Sequence, residues 1–412
     1  MKELTLDKIY AADKLSEQRE RYERTAAGFE KLYGEKPLYF FSAPGRTEVG
    51  GNHTDHNLGC VLAAGVSLDI IAAVSPSDSN VISVKSEGFD LDTVDISEQE
   101  IREDQFGTSA SLIRGMAAGF AQNGHKAGGF KAYTVSNVLK GSGLSSSAAF
   151  EVLIGTILNG LYNNGEVSDV EVAKIAQYAE NAYFGKPSGF MDQMASSVGG
   201  FITIDFGDKE EPVIRSIELD LGAAGQNLCI IDTKGSHADL TPDYAAIPPE
   251  MKSVAGYFGK EVLRQISKEQ VLENISELRE KCGDRAVLRA LHFFDDNERV
   301  AKEAEALDKG DIKSFLSLVN SSGLSSLSYL QNIYSPKDPA HQGLTLALYL
   351  ARELLEGEGA CRVHGGGFAG TIQAFVPDNK LEKFRTEMER VFGAGACYVL
   401  SVRNCGGTRV LL

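Results

Sequence analysis

The sequence predicts an α+β fold in two domains, and three observations carry that expectation. Strand-like and helical stretches are mixed along the first half without strict alternation. The second half is rich in helix from residue 253 to 355, and strands return only near its end. The 412 residues, 43% apolar and 24% charged, are enough for two ordinary hydrophobic cores.

In chain order, the polar and charged run at residues 15–33 reads as a helix. Apolar pieces at 38–42, 61–68, 70–75 and 81–86 read as strands, and 130–138 as another. From 150 to 161, Val152, Leu153, Ile157, Leu158 and Leu161 fall at helical spacing. A second helix is expected at 170–183, then strands at 200–205 and 213–219. Composition thins at Gly222-Ala223-Ala224-Gly225, and a new apolar strand starts at 228–232. A boundary there gives domains of 1–220 and 221–412. The helices beyond it include 300–307 and 311–318, and the returning strands are 370–376 and 397–402. No internal repeat or low-complexity segment interrupts this order.

Bulk properties exclude several classes. A formal net charge of −16 argues against nucleic acid or an anionic membrane surface as partner. Residues 1–9 carry mixed charge without an apolar segment, so no signal peptide is expected, and no run of about 18 apolar residues is present to span a membrane. Six cysteines lack any C-x-x-C pair, which fits reduced thiols in a cytoplasmic protein and indicates neither a zinc site nor a disulfide frame. A monomer acting on small molecules is expected.

The densest motif is Gly141-Ser142-Gly143-Leu144-Ser145-Ser146-Ser147-Ala148-Ala149, directly before the 150–161 helix. A helix N-terminus presents unpaired N–H groups and the positive end of its dipole to an anion. Glycines let the backbone approach phosphate oxygens, and a serine hydroxyl can reach a bridging magnesium ion. A single serine there would read as the cap of a core helix; two glycines and three consecutive serines favour a phosphate cradle. No G-x-x-x-x-G-K-[ST] string is present. The Gly365-Gly366-Gly367-Phe368-Ala369-Gly370 run satisfies G-x-G-x-x-G, but strand-like alternation up to Pro377 follows it, whereas a dinucleotide fingerprint opens a helix. The run therefore reads as a strand-to-strand turn, either purely structural or approaching a ligand.

Two polar clusters accompany the cradle. From Arg46 through Asn52, His53, Asp55, His56 and Asn57, side chains that donate and accept are interleaved with glycines on an expected loop between strands, as a polyhydroxylated ligand requires. Asp192, in Gly185-Lys186-Pro187-Ser188-Gly189-Phe190-Met191-Asp192-Gln193, follows a Pro/Gly turn. It could cap a helix, or it could accept a hydroxyl proton beside a guanidinium that stabilises phosphoryl transfer.

Four motifs in order span nearly the whole chain: P-G-R-x(4)-G-x-H-T-D at 44–55, G-x-G-L-S-S-S-A-A at 141–149, G-x-P-x-G-x-M-D-Q at 185–193, and A-C-R-x-H-G-G-G-F-A-G at 360–370. Together they resemble the sugar kinases of the galactokinase, homoserine kinase, mevalonate kinase and phosphomevalonate kinase (GHMP) superfamily, and its galactokinases most closely. The resemblance implies the two-domain GHMP architecture with an active site in the interdomain cleft, and Mg²⁺-dependent transfer of a phosphoryl group from ATP to the anomeric hydroxyl of galactose. It implies Asp192 and Arg46 as the catalytic pair, and Gly141, Ser142, Gly143, Leu144, Ser145, Ser146, Ser147 and Ala148 around the nucleotide phosphates. Ser147 and Glu180 match metal-ligating positions; Asn52, His53, Asp55, Gly189 and Tyr244 match sugar-contacting ones.

The chain also departs from that pattern. Galactokinases usually carry a glutamate before the motif histidine, where it binds the sugar's 6-hydroxyl; Asn52 stands here, and His56 stands where tyrosine is common. Tyr244 is followed by Ala245-Ala246-Ile247-Pro248-Pro249 in place of the usual basic residues. Loss of the charge at 52 leaves galacturonate, or a sugar truncated at that carbon such as arabinose, as alternative substrates. Some relatives bind galactose as non-catalytic sensors, but those are damaged in the serine motif that is whole here.

Overall fold

In the computed structural model the described residues are 1–138, 143–186, 188–208, 211–235 and 241–412. Two sheets organise them. The first contains β1 (Lys2–Thr5), β2 (Tyr39–Gly50), β3 (Cys60–Pro76), β4 (Val81–Ser86), β5 (Leu91–Asp95), β6 (Phe130–Ser136), β7 (Phe201–Asp205) and β8 (Val213–Ile217). The second is built from β9 (Gln226–Asp232), β10 (Ala360–Val363), β11 (Thr371–Pro377) and β12 (Cys397–Leu400), in the order β10-β11-β9-β12, all antiparallel. The last strand, β13 (Thr408–Leu411), returns to the first sheet, whose order is β1-β13-β2-β3-β6-β4-β5, with β7 on β3 and β8 on β7.

The length of β3 makes this possible. Residues 70–76 pair with β6 while 60–64 pair with β7, so one strand joins two parts of the sheet. Its inward positions, among them Leu62, Ala64, Val66, Ala72 and Val74, are buried apolar residues of one core. The two strands expected at 61–68 and 70–75 are therefore one, which stays extended through a register shift against β2 between Pro44 and Arg46. Likewise the strand expected at 38–42 continues to Gly50, because Arg46, Thr47 and Glu48 pair with Gly65, Ala64 and Ala63 of β3.

The helix Leu15–Tyr33 occupies its expected span and buries Tyr22, Thr25 and Phe29. The helix Ser146–Tyr162 is buried at every position from 148 to 159, which fits an almost uniformly apolar sequence. It runs through the first core against the helices Ser109–Gln122 and Asp169–Tyr178 and the strand β2. The helix expected at 170–183 is α-helical only to Tyr178, and Ala179–Tyr183 forms a π-helical turn.

The second sheet has its own core of Ile231, Leu344, Leu348, Ile372, Val376 and Phe384. Helices Ile247–Tyr257 and Asp284–Asp308 bury a further cluster that includes Met251, Leu263 and Phe293. The division expected at 220/221 falls between β8 and β9. Because β13 completes the first sheet, residues after 221 belong partly to each half. Among the described residues no helix is long and apolar enough to cross a membrane.

Candidate active site

The site forms where β2 meets the second sheet. Arg46 and Glu48 lie two residues apart on a regularly paired stretch of β2, so their side chains leave the same face. The second sheet docks on this strand through side chains. Arg362 donates from Nη2 to Glu48 Oε1 at 2.7 Å and from Nη1 to the Val49 carbonyl. Gln373 donates to Thr47 Oγ1 at 2.6 Å and to the Glu48 carbonyl at 3.0 Å, and His364 Nε2 lies 3.1 Å from Thr47 Oγ1.

Arg46 reaches Asp192, in the first turn of the helix Met191–Val198, through two parallel hydrogen bonds: Nε to Oδ1 and Nη2 to Oδ2, each 2.7 Å. Its remaining nitrogen donates to the Gly143 carbonyl, and its backbone N–H to the Leu144 carbonyl at 3.1 Å. Burial alone would raise the Asp192 carboxyl, but the Arg46 charge and hydrogen bonds, helped by the Ser145 hydroxyl and Lys186, hold it below the usual carboxylate range. A quarter of the Asp192 side chain remains open to the cavity.

Ser145 adopts a left-handed conformation at φ 53° and stands before the first turn of the long buried helix. Ser146, Ser147 and Ala148 supply that turn. Ser147 Oγ donates to Glu180 Oε1 at 3.0 Å, and the π-helical turn is what carries Glu180 towards it. Lys186 Nζ sits 2.9 Å from the same oxygen, and Gln193 Nε2 donates to the other at 2.7 Å. Gly141 and Ser142 of the expected cradle, and Pro187, lie outside the described residues. A side chain at Gly143 would press on the His364 ring, so the fourth motif supports the second directly.

A cavity of about 180 Å³ opens beside the Arg46–Asp192 pair. Its walls include Glu48, His53, Asp55, Gly189 and Tyr244. His53 Nε2 lies 3.0 Å from the Gly366 carbonyl, which can only accept, so this nitrogen carries the proton. Nδ1 is buried without a partner among the described residues. Burial, with His56 adding repulsion, pushes the His53 imidazole down to about 3, so it is neutral. Its ring packs against Tyr244, 5.3 Å between centroids, and Tyr244 packs on Gly366, where a Cβ would lie 2.4 Å from the tyrosine ring. Gly189 faces Asp55: a Cβ there would sit 2.6 Å from Asp55 Oδ2.

Asn52 is the exception among the expected sugar contacts. It is fully buried and is absent from the cavity wall. Its amide nitrogen donates to Glu48 Oε1 at 2.9 Å and to the Gly365 carbonyl at 2.8 Å; its amide oxygen accepts from Asn332 at 2.8 Å and Ser326 at 3.2 Å. Both protons and both lone pairs are thus used within the protein. Glu48 is on the wall instead, one of the two carboxylates of the polar cluster but one that reading 46–57 as a loop does not single out. Two-residue spacing from Arg46 on a strand is the signal that would have found it.

Comparison with known proteins gives the family and the fold. A family model described as the galactokinase galactose-binding signature matches residues 27–76, and one for the GHMP kinases N-terminal domain matches 111–200. The galactokinase of Streptomyces coelicolor is 29% identical over 371 residues, 89% of this chain and 92% of the relative. The Lactococcus lactis galactokinase complexed with galactose superposes with a TM-score of 0.78 at 23% identity, covering 93% of this chain and 98% of that one. Methanococcus jannaschii mevalonate kinase gives 0.62 at 16% identity, covering 88% and 98%, so the two-sheet architecture is that of the superfamily. The galactokinase of Actinobacillus pleuropneumoniae serotype 5b is 30% identical over 374 residues, 87% of this chain and 90% of the relative, and on that likeness the chain belongs to the galactokinase family of GHMP sugar kinases.

Proposed function

We propose that this enzyme transfers the γ-phosphoryl group of ATP to the anomeric hydroxyl of galactose, in a cytoplasmic, monomeric protein. The observation that carries the reading is the cavity in which the Arg46–Asp192 pair meets His53, Asp55, Gly189 and Tyr244. At about 180 Å³ it is smaller than the roughly 300–1,000 Å³ of pockets for drug-sized ligands, which suits one monosaccharide. His53 lines the cavity, and its buried Nδ1, without a partner among the described residues, is an acceptor that a sugar hydroxyl could satisfy. Six free cysteines fit a reducing compartment.

In this reading the anomeric oxygen bonds to the γ-phosphorus as the bond from phosphorus to the bridging oxygen of ADP breaks, and the hydroxyl proton passes to Asp192. A carboxylate held this acidic is a weak base, which suits a loose transition state in which the proton leaves late. Arg46 fixes the carboxylate by two bonds and places positive charge beside the transferring group. The N-terminus of the helix Ser146–Tyr162 faces the nucleotide phosphates.

Ser147 Oγ and Glu180 Oε1, adjacent hard oxygen donors, fit a magnesium ion, which takes one or two protein ligands and completes its shell with phosphate and water. Bound there, the ion would neutralise charge between the phosphates. Lys186 now occupies the open side of Glu180 and would give way to it.

The intact serine motif beside Arg46 and Asp192 tells against a sensor without turnover. The test is ATP consumption with galactose, galacturonate, arabinose, N-acetylgalactosamine and glucose. Galactose should give the highest kcat/KM; a higher value with another sugar would move the substrate assignment, and none with any sugar would end the kinase reading.

A further inference from the structure

We propose that Glu48 is the specificity-determining carboxylate of the sugar cavity, standing in for the glutamate that Asn52 replaces, and that it accepts a hydrogen bond from a hydroxyl on the side of the pyranose remote from the anomeric carbon. This rests on the galactose reading above.

The geometry points to Glu48 in four ways. It lines the same cavity as Asp192, whereas Asn52 does not. It leaves the same face of β2 as Arg46, one strand repeat of about 6.6 Å along, comparable with the span of a pyranose from its anomeric to its far side. Arg46 holds the residue facing the reacting hydroxyl, so Glu48 meets the opposite end. Finally, Arg362 and Asn52 both donate to Oε1, and none of the hydrogen bonds among the described residues uses Oε2. Oε2 is the oxygen left for a ligand, on a side chain whose rotamer is fixed from behind.

Asn52 is consequently a positioning residue. Its amide is the link between Glu48 and the loop carrying Gly365, and it is itself held by Asn332 and Ser326. The carboxyl group lost at position 52 is therefore retained four residues earlier in the chain, where burial pushes it up to about 7 against the pull of Arg362 and the Asn52 amide. A sugar bearing a carboxylate at its sixth carbon would meet that carboxyl group, and the two could not both be ionised at contact distance without cost.

The experiment compares kcat/KM for galactose with that for 2-, 3-, 4- and 6-deoxygalactose, in the wild type and in Glu48→Gln. The amide retains an oxygen for Arg362 and Asn52 but loses the charged acceptor. In the wild type, deoxygenation at C4 or C6 should cost about 10- to 100-fold, the worth of a hydrogen bond to a charged group. In Glu48→Gln that same penalty should shrink to about 3-fold while the KM for ATP stays put. If Glu48→Gln does not fold, Glu48→Asp, which keeps the charge but withdraws it, should lose the same discrimination. Equal deoxy penalties in wild type and variant overturn this proposal while galactose turnover upholds the kinase reading. Absence of galactose turnover in the wild type overturns both.

Discussion

Arg46 and Asp192 form a fork-to-fork pair, Nε to Oδ1 and Nη2 to Oδ2, both at 2.7 Å, between a strand and the first turn of a helix 146 residues away in the chain. Such a pair is geometrically specific as well as strong. Asp192→Asn keeps the shape but can neither take the proton nor balance the guanidinium, and should lower kcat by about 10²-fold or more in a protein that still folds but melts at a lower temperature. Arg46→Lys offers one point of contact where two are needed and should lose activity as well.

The same pair sets a pH dependence. Asp192 has a folded-state value below the usual carboxylate range, so its ionised form persists as pH falls and is lost only on passing that depressed value. The acid limb that Asp192 imposes should therefore lie below the ordinary aspartate value of about 3.9, and it should be read in Glu48→Gln, because Glu48, pushed up to about 7 by burial, would add its own limb near neutrality to the wild-type kcat/KM for galactose. An acid limb near neutrality that persists in Glu48→Gln would assign the titration to a group other than Asp192.

Gly189 is required by contact. A methyl group there would lie 2.6 Å from Asp55 Oδ2 and push that carboxylate off the cavity wall. Gly189→Ala should raise the galactose KM by about 10- to 100-fold, the usual result of displacing a positioning group by an ångström or so, with the ATP KM nearly unchanged. Steady-state kinetics with each substrate varied in turn checks it.

Ser147→Ala and Glu180→Gln each remove or weaken a hard oxygen donor. Each should raise the magnesium concentration for half-maximal rate, by about tenfold for a ligand or its immediate support. The carboxylate variant should show the larger effect, because Glu180 also anchors Lys186 and Gln193. Unchanged magnesium titrations in both would remove these residues from the metal site.

Asn52→Asp tests the burial of the asparagine. The new carboxylate would meet Glu48 Oε1 and the Gly365 carbonyl, two acceptors that now receive protons from the amide. A destabilisation of about 2–4 kcal/mol is expected for a buried carboxylate with one oxygen facing two acceptors, although Asn332 and Ser326 still donate to the other, read from denaturant unfolding. Asn52→Glu would add length where there is no space and should be worse, so the glutamate of other galactokinases cannot simply be restored at this position.

Much of this was legible because local chemistry and tertiary structure agree. The helix Leu15–Tyr33 shows in its polar, charged composition and the helix behind the serine motif in its apolar spacing, and the glycine run after Val363 is the strand-to-strand turn that the alternation after it implies. The missed helix Ser109–Gln122 contains Gly115 and Gly119, weak helix formers needed for close approach to Ala179 and Ile175. The extension of β2 to Gly50 was hidden because Arg46, Thr47 and Glu48 are polar; pairing with β3 makes them a strand, and only that pairing shows Glu48 beside Arg46. The burial of Asn52 depends on Asn332 and Gly365, hundreds of residues away, and no local pattern carries it.

The central claim is that the cavity beside Arg46 and Asp192 delivers the anomeric oxygen of galactose to ATP. Phosphorus NMR of the product formed from galactose labelled with ¹³C at C1 tests it most directly. Beside the signals of ADP, one new phosphomonoester signal split by the labelled carbon, formed by the wild type and lost in Asp192→Asn, is the predicted result. A product whose phosphate shows no coupling to C1, or a product formed equally well without the Asp192 carboxylate, would contradict it.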